Sequence, residues 1–98
     1  MHKDHKKIDR EIIRALTGVC EHAKIEVDGF KWLTHEVNYQ RFPQSLRVLL
    51  VFSDKVHEDQ VLAGLQALVP AVQQALQPIT NTKLPAEHIE ARQERRLH

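Results

Sequence analysis

The chain has 98 residues, of which 42% are hydrophobic and 28% charged, and its formal net charge is +1. This length predicts one domain, because so short a chain has too little interior to divide, and the composition excludes the disordered and fibrous classes. No apolar run approaches the roughly 20 residues that span a bilayer, and the polar N-terminus is not a secretory signal. The single cysteine cannot form an internal disulfide. We therefore expect a cytoplasmic protein.

The first predicted element is a long amphipathic helix over about residues 3–27. Its apolar residues recur three or four positions apart, which is the spacing of one face of an α-helix. This stripe consists of Ile8, Ile12, Leu16, Val19, Ala23 and Val27. The helix should end at Asp28-Gly29, because glycine readily adopts the left-handed conformation that stops a helix.

Two strand-like runs follow, FKWLTHEVNY over 30–39 and SLRVLLVF over 45–52. The link between them contains Pro43, which cannot donate to a strand ladder, so a hairpin is the simplest connection. In the second run both faces are apolar, which is typical of a strand covered on both sides. We expect the side chains of the core to come from both strands: Phe30, Trp32, Leu33, Val37 and Phe52. His35 and Tyr39 share the opposite face from Trp32 and should be partly exposed.

A second helix is predicted over about residues 53–79, capped by Ser53 or Asp54. Pro70 lies inside its apolar pattern and should cause a kink or short break, and Pro78 should end it. Residues 79–85 are rich in β-branched side chains, so a short third strand is an alternative there. Residues 86–98 have the composition of a docked helix or a frayed tail. The predicted organisation is a single α+β domain over 1–85, followed by this C-terminal segment.

The predicted fold class is α+β, an α-β-β-α two-layer arrangement with an antiparallel hairpin and room for a third short strand. Helices on one face would leave the other face of the hairpin uncovered. Either the C-terminal segments cover that face or a second subunit does, so we expect a homodimer. The candidate exposed sheet surface is His35, Tyr39, Leu49 and Val51.

No pattern of residues indicates catalysis, a metal site or a cofactor. Cys20 and His22 are two apart on a helix and point in different directions. His35 and Glu36 are neighbours on a strand, so their side chains point to opposite faces. We therefore predict no catalytic residues, no metal and no cofactor.

A basic stripe on the first helix is the clearest surface signal. It consists of Lys3, Lys7, Arg10 and Arg14, which recur at spacings of 4, 3 and 4. Such a stripe could neutralise phosphates and give salt-sensitive binding to nucleic acid. The same pattern is typical of an ordinary solvated helix face, since charges must lie opposite the core.

The segments IDREIIRALTGVCEHA, VDGFKWLTHEVNY and FPQSLRVLLVF resemble a family of small proteobacterial proteins often named Fis-family transcriptional regulators, not the all-helical Fis protein itself. The resemblance covers roughly positions 7–52, chiefly through GFKWLTH and FPQSL. It implies no catalytic residues and adds slightly to the nucleic-acid hypothesis. The function we expect is a protein-interaction or regulatory adaptor, and the alternative is a nucleic-acid-binding accessory protein.

Overall fold

The computed structural model describes residues 5–94, which form two long helices and a three-stranded sheet. In chain order the elements are α1 His5–Glu26, β1 Phe30–Glu36, β2 Arg47–Phe52, α2 Glu58–Thr80 and β3 Ile89–Gln93. Two single-turn 3-10 helices, Tyr39–Arg41 and Ala86–His88, lie in the connections. The α+β class is confirmed, and the order is α-β-β-α-β.

The sheet has the order β1-β2-β3, with β2 in the centre. β1 pairs with β2 antiparallel, which confirms the predicted hairpin, and β3 pairs with β2 in parallel. A parallel neighbour needs a crossover connection, and α2 supplies it. The sheet is therefore mixed, and β1 and β3 form its two edges.

Helix α1 buries the predicted stripe, with Ile12, Leu16, Val19 and Ala23 all shielded from solvent. The helix ends at Glu26, and the chain turns through Gly29, whose φ of 83° is left-handed as the Asp28-Gly29 prediction required. A side chain at position 29 would also meet Val56, so no other residue fits this turn well.

The prediction that Trp32 belongs to the core is wrong, because β1 contains a β-bulge. The register with β2 shifts between Phe30 and Trp32, so these two side chains point to opposite faces of the sheet. Phe30 is buried against Phe52, with ring centroids 5.8 Å apart, whereas Trp32 is 45% exposed. β1 also ends at Glu36, so Val37 and Tyr39 lie in the connection to β2.

Helix α2 continues through both prolines, so the short break that was one of two alternatives at Pro70 is absent, and the predicted end at Pro78 is wrong. Both prolines are exposed, and water can satisfy a carbonyl that loses its helical donor there. The helix ends one turn later at Asn81, which is left-handed and donates its backbone N–H to Gln77. At the other end the cap is His57, whose backbone N–H donates to the Gln60 side chain, and neither Ser53 nor Asp54 caps the helix.

The C-terminal segment is neither a helix nor a frayed tail over residues 89–93, because this stretch is β3. Its register places Ile89 beside Val48 and Ala91 beside Leu50. The third strand proposed for 79–85 is absent, since α2 occupies 79–80 and no regular element follows until Ala86. Residues 95–98 of the predicted segment lie outside the described residues.

The sheet has an inner face, which packs on both helices, and an outer face. Each strand contributes three side chains to the inner face. These are Phe30, Leu33 and His35 on β1, Val48, Leu50 and Phe52 on β2, and Ile89, Ala91 and Gln93 on β3. The outer face contains Trp32, Thr34 and Glu36 on β1, Arg47, Leu49 and Val51 on β2, and Glu90 and Arg92 on β3. The core lies between the inner face and the buried stripes of α1 and α2.

Candidate functional site

The outer face of the sheet presents an apolar centre beside the edge strand β1. Trp32 pairs in register with Val51, and Thr34 pairs with Leu49. A shallow pocket of about 290 Å³ lies among Trp32, Leu49, Val51 and Arg92. Val51 is only 3% exposed, whereas the indole of Trp32 is 45% exposed. A half-exposed tryptophan beside a pocket is typical of a binding surface.

Charges of both signs surround this apolar centre. Glu36 lies opposite Arg47 on the neighbouring strand, and Glu90 and Arg92 flank Leu49 and Val51 from β3. All four charged residues are exposed. A mixed, exposed rim around an apolar centre is the usual composition of a protein-binding patch.

A separate polar cluster joins the first turns of α1 to the end of β1. The hydroxyl of Tyr39 donates to Oδ1 of Asp9 over 2.6 Å, and Nε2 of His35 lies 3.1 Å from the same oxygen. The ring of His5 stacks on Tyr39 with centroids 5.0 Å apart. Asp9 lies on α1 one turn before the buried Ile12, so it faces the end of β1.

The loop that carries Tyr39 is held by hydrogen bonds of its own. The backbone N–H of Asn38 donates to the Ser45 hydroxyl, which in turn donates to the Asn38 carbonyl. The Asn38 side chain accepts from Gln40 and caps the single-turn helix. These contacts hold the loop in the conformation that places Tyr39 within hydrogen-bonding distance of Asp9.

The cluster shifts the protonation of two of its members. The pKa of Asp9 is lowered, first by the hydrogen bond from Tyr39 and then by the one from His35. The pKa of Tyr39 is raised well above its usual range, first by burial and then by its hydrogen bond to the Asp9 carboxylate. The cluster therefore holds an ionised Asp9 and a neutral Tyr39 across the neutral pH range.

A groove of about 490 Å³ runs between α1 and the outer edge of β1. Its helical wall contains Ile13, Leu16 and Cys20, and its strand wall contains Leu33 and His35. Ile13 is 48% exposed in this position. The helical wall also carries Thr17, Glu21 and Lys24, so the groove combines apolar side chains with charges of both signs directly beside an edge strand.

The four residues predicted as an exposed sheet surface do not share one face. Leu49 and Val51 lie on the outer face, but Val51 is buried. His35 lies on the inner face and Tyr39 lies outside the sheet altogether. These two instead meet at Asp9, which sequence reasoning missed because it lies 26 and 30 residues away from them.

Three residues of the basic stripe, Lys7, Arg10 and Arg14, are exposed on α1, and Lys3 lies outside the described residues. Within residues 5–94, no group of three or more His, Cys, Asp or Glu side chains is arranged to hold a metal ion. Among the helices of that same range, none is long and apolar enough to cross a membrane.

No protein-family model matches this chain, and neither does any curated protein or solved structure. The resemblance to the Fis-named proteobacterial family therefore stays a prediction.

Proposed function

We propose that this protein is a protein-interaction module, a regulatory adaptor that acts by binding rather than by catalysis. The observation that carries the proposal is the half-exposed Trp32 beside Leu49 and Val51, on the sheet face opposite both helices. Within this chain 45% of Trp32 stays exposed, so a large part of its apolar surface is available to a partner. The indole supplies the kind of anchor that contributes most to protein interfaces.

The partner surface that fits is an apolar side chain flanked by charges of both signs. The apolar group would enter the pocket between Trp32 and Leu49, and the charges would meet Arg47, Arg92, Glu36 or Glu90. Tryptophan and arginine are enriched at such interfaces, and rim charges fix the orientation of the partner. As part of the same proposal, the protein acts in the cytoplasm and as a homodimer.

The test compares binding by the wild type with binding by Trp32→Ala and Leu49→Lys. The matched control is Leu62→Ala, since Leu62 is an exposed leucine on α2 and not on the outer face. A partner captured by the wild type is purified, and its affinity for each variant is measured by titration calorimetry. We expect both outer-face variants to lose at least tenfold in affinity, about 1.4 kcal/mol, and the control to bind normally.

Fluorescence gives a second readout of the same titration, because Trp32 is the sole tryptophan. Its emission should move to shorter wavelength, and acrylamide should quench it less, when a partner covers the outer face. A partner that binds all four proteins equally and leaves Trp32 accessible would contradict this function.

A second candidate function is nucleic-acid binding through the basic stripe, favoured by the exposure of Lys7, Arg10 and Arg14 on successive turns of α1. Each phosphate contact should contribute about 0.9 to the slope of log affinity against log salt. The test is fluorescence anisotropy of labelled mixed-sequence DNA and RNA at low and physiological salt. The test variant replaces the four residues of the stripe with Gln. A charge-matched control replaces four exposed cations elsewhere: Lys31, Arg41, Lys55 and Lys83.

Loss of salt-dependent binding in the stripe variant alone would support this candidate function. Equal binding by both variants, or no binding by the wild type at low salt, would exclude it.

A further inference from the structure

The outer edge of β1 has no strand partner within residues 5–94, and its β-bulge lies at the start of the strand, between Phe30 and Trp32. β1 pairs only with β2, so half of its backbone N–H and C=O groups face away from the sheet. Its charged residues, Lys31 and Glu36, lie near the two ends, and the centre of the strand is Trp32, Leu33, Thr34 and His35. The other edge strand, β3, alternates charged residues along its short length, which is a common protection against strand pairing.

The groove between α1 and β1 opens onto this same edge. Thr34 lines the groove although its side chain belongs to the outer face, so the groove reaches the backbone of the edge strand. An extended strand placed along β1 would therefore also be covered by α1. Ile13 lines the helical wall of the groove, opposite the strand wall that contains Leu33, and it is exposed to solvent.

We propose that a second copy of this chain occupies the edge, with the two β1 strands paired antiparallel about a two-fold axis near Leu33 and Thr34. The two three-stranded sheets then form one six-stranded sheet. The two Ile13 side chains, one from each copy, are buried where the α1 helices meet above the axis.

The charges of β1 favour this occupant and this direction. Antiparallel pairing brings the Lys31 end of one strand beside the Glu36 end of the other, whereas parallel pairing would place like charges together. A two-fold axis perpendicular to the sheet also keeps inner face with inner face, so Leu33 meets Leu33 or His35 of the second copy. Both helical layers then lie on one side, and the two outer faces form one continuous surface.

This inference rests on the homodimer in the proposed function and gives its geometry, but it does not depend on the partner proposed for the outer face. A protein that dimerises but whose outer-face variants bind their partner normally would refute the outer-face binding alone. A protein that stays monomeric but loses its partner when Trp32 is replaced would refute the dimer alone.

The first test is sedimentation equilibrium of the wild type, Ile13→Glu and Ile25→Glu. Both isoleucines are exposed on α1, but Ile25 does not line the groove, so it is a matched control. We expect the wild type and Ile25→Glu to dimerise, and Ile13→Glu to dimerise at least tenfold more weakly. Circular dichroism and the melting temperature check that each variant is folded. A wild type that remains monomeric at its solubility limit would overturn the proposal.

The second test fixes the geometry by disulfide cross-linking in a Cys20→Ser background, which removes the only native thiol. A disulfide needs Cα atoms about 4.4–6.8 Å apart. We expect Thr34→Cys or Leu33→Cys to cross-link readily under mild oxidation. The variant that reacts identifies the residue on the two-fold axis and therefore the register of the two β1 strands. Leu49→Cys lies on the central strand and should not react. Cross-linking through Leu49→Cys alone would show that the copies associate through their outer faces and would overturn edge pairing.

Discussion

The two faces of the sheet differ more than the sequence of β2 suggests. The strand is apolar on both faces, with Leu50 and Phe52 on the inner side and Leu49 and Val51 on the outer side. The inner residues are completely buried beneath two helices, whereas the outer face has Trp32 about half exposed. Equal hydrophobicity on the two faces of the strand is therefore accompanied by complete burial on the inner side and by a half-exposed tryptophan on the outer side.

The largest effect on stability is expected when Phe52 on the inner face is replaced by Ala. Phe52 is fully buried and packs edge-on against Phe30, so its removal leaves a cavity beneath both helices. We expect a loss of about 3–5 kcal/mol in the free energy of unfolding, measured by urea titration. Leu49→Ala, on the outer face of the same strand, should cost clearly less. Equal losses would show that the outer face is as tightly packed as the inner one.

The two glycines inside helices sharpen the same contrast. A Cβ at Gly64 would lie 2.6 Å from Cε2 of Phe52, whereas a Cβ at Gly18 meets nothing within 4 Å. Gly64→Ala should therefore destabilise by about 1–3 kcal/mol through overpacking of the inner face. Gly18→Ala should stabilise by about 0.5–1 kcal/mol, because alanine favours the helix. Thermal unfolding of both variants checks the opposite signs, and two shifts of the same sign would contradict the packing described.

Asp9→Asn tests the polar cluster in which Asp9 contacts Tyr39 and His35. The lowered pKa of Asp9 means that its ionised form stabilises the fold, a contribution fully present above the unfolded value of 3.8 and lost as pH falls through the lowered folded pKa. Because Asp9 is 42% exposed, we expect only about 1 kcal/mol or less at neutral pH. Urea titrations between pH 2 and 7 measure the difference, with the exposed Asp28→Asn as control.

The sole tyrosine reports directly on that contact. Absorbance near 295 nm should show that Tyr39 ionises well above its usual pKa of 10.0, and Asp9→Asn should bring the transition part of the way back. It should not return fully, since burial is the larger cause of the shift. An ordinary phenol titration in the wild type would mean that Tyr39 and Asp9 are not in contact.

The smallest stability effect is expected on the outer face. Trp32→Thr should change the free energy of unfolding by less than about 1 kcal/mol, because the indole is half in water already and threonine suits a strand. Acrylamide quenching of the wild type should find this tryptophan accessible. A large loss of stability, comparable to that of Phe52→Ala, would instead make Trp32 a core residue.

The parts of the fold that sequence could predict are those with a local periodic signal. The stripe of α1, from Ile12 to Ala23, and the stripe of α2 follow from spacing alone. The bulge at β1 does not, because it is defined by the ladder with β2, and it alone turns Trp32 outward. β3 carries only Ile89 as a fully buried residue, and its pairing depends on the crossover through α2.

The candidate site was less predictable than the fold, for the same reason. The sequence pattern places His35 and Tyr39 on one strand face opposite Trp32, but only His35 lies in β1, and Tyr39 belongs to the connection that follows. Asp9 carries no signal of its own in the sequence, and only the packing of α1 beside β1 brings it to Tyr39. The bare edge of β1 is also invisible in sequence, since it follows from the sheet order.

The parallel pairing of β2 with β3 has a consequence for how each copy of this protein is made. During synthesis the β1–β2 hairpin leaves the ribosome before α2 and β3. β2 can therefore pair with β1 at once, but it can pair with β3 only after the whole crossover has been synthesised. Such non-local pairings form slowly, and exposed strand edges on partly synthesised chains invite aggregation. Nascent chains therefore pass through an interval in which the most hydrophobic strand of the protein is its least protected one.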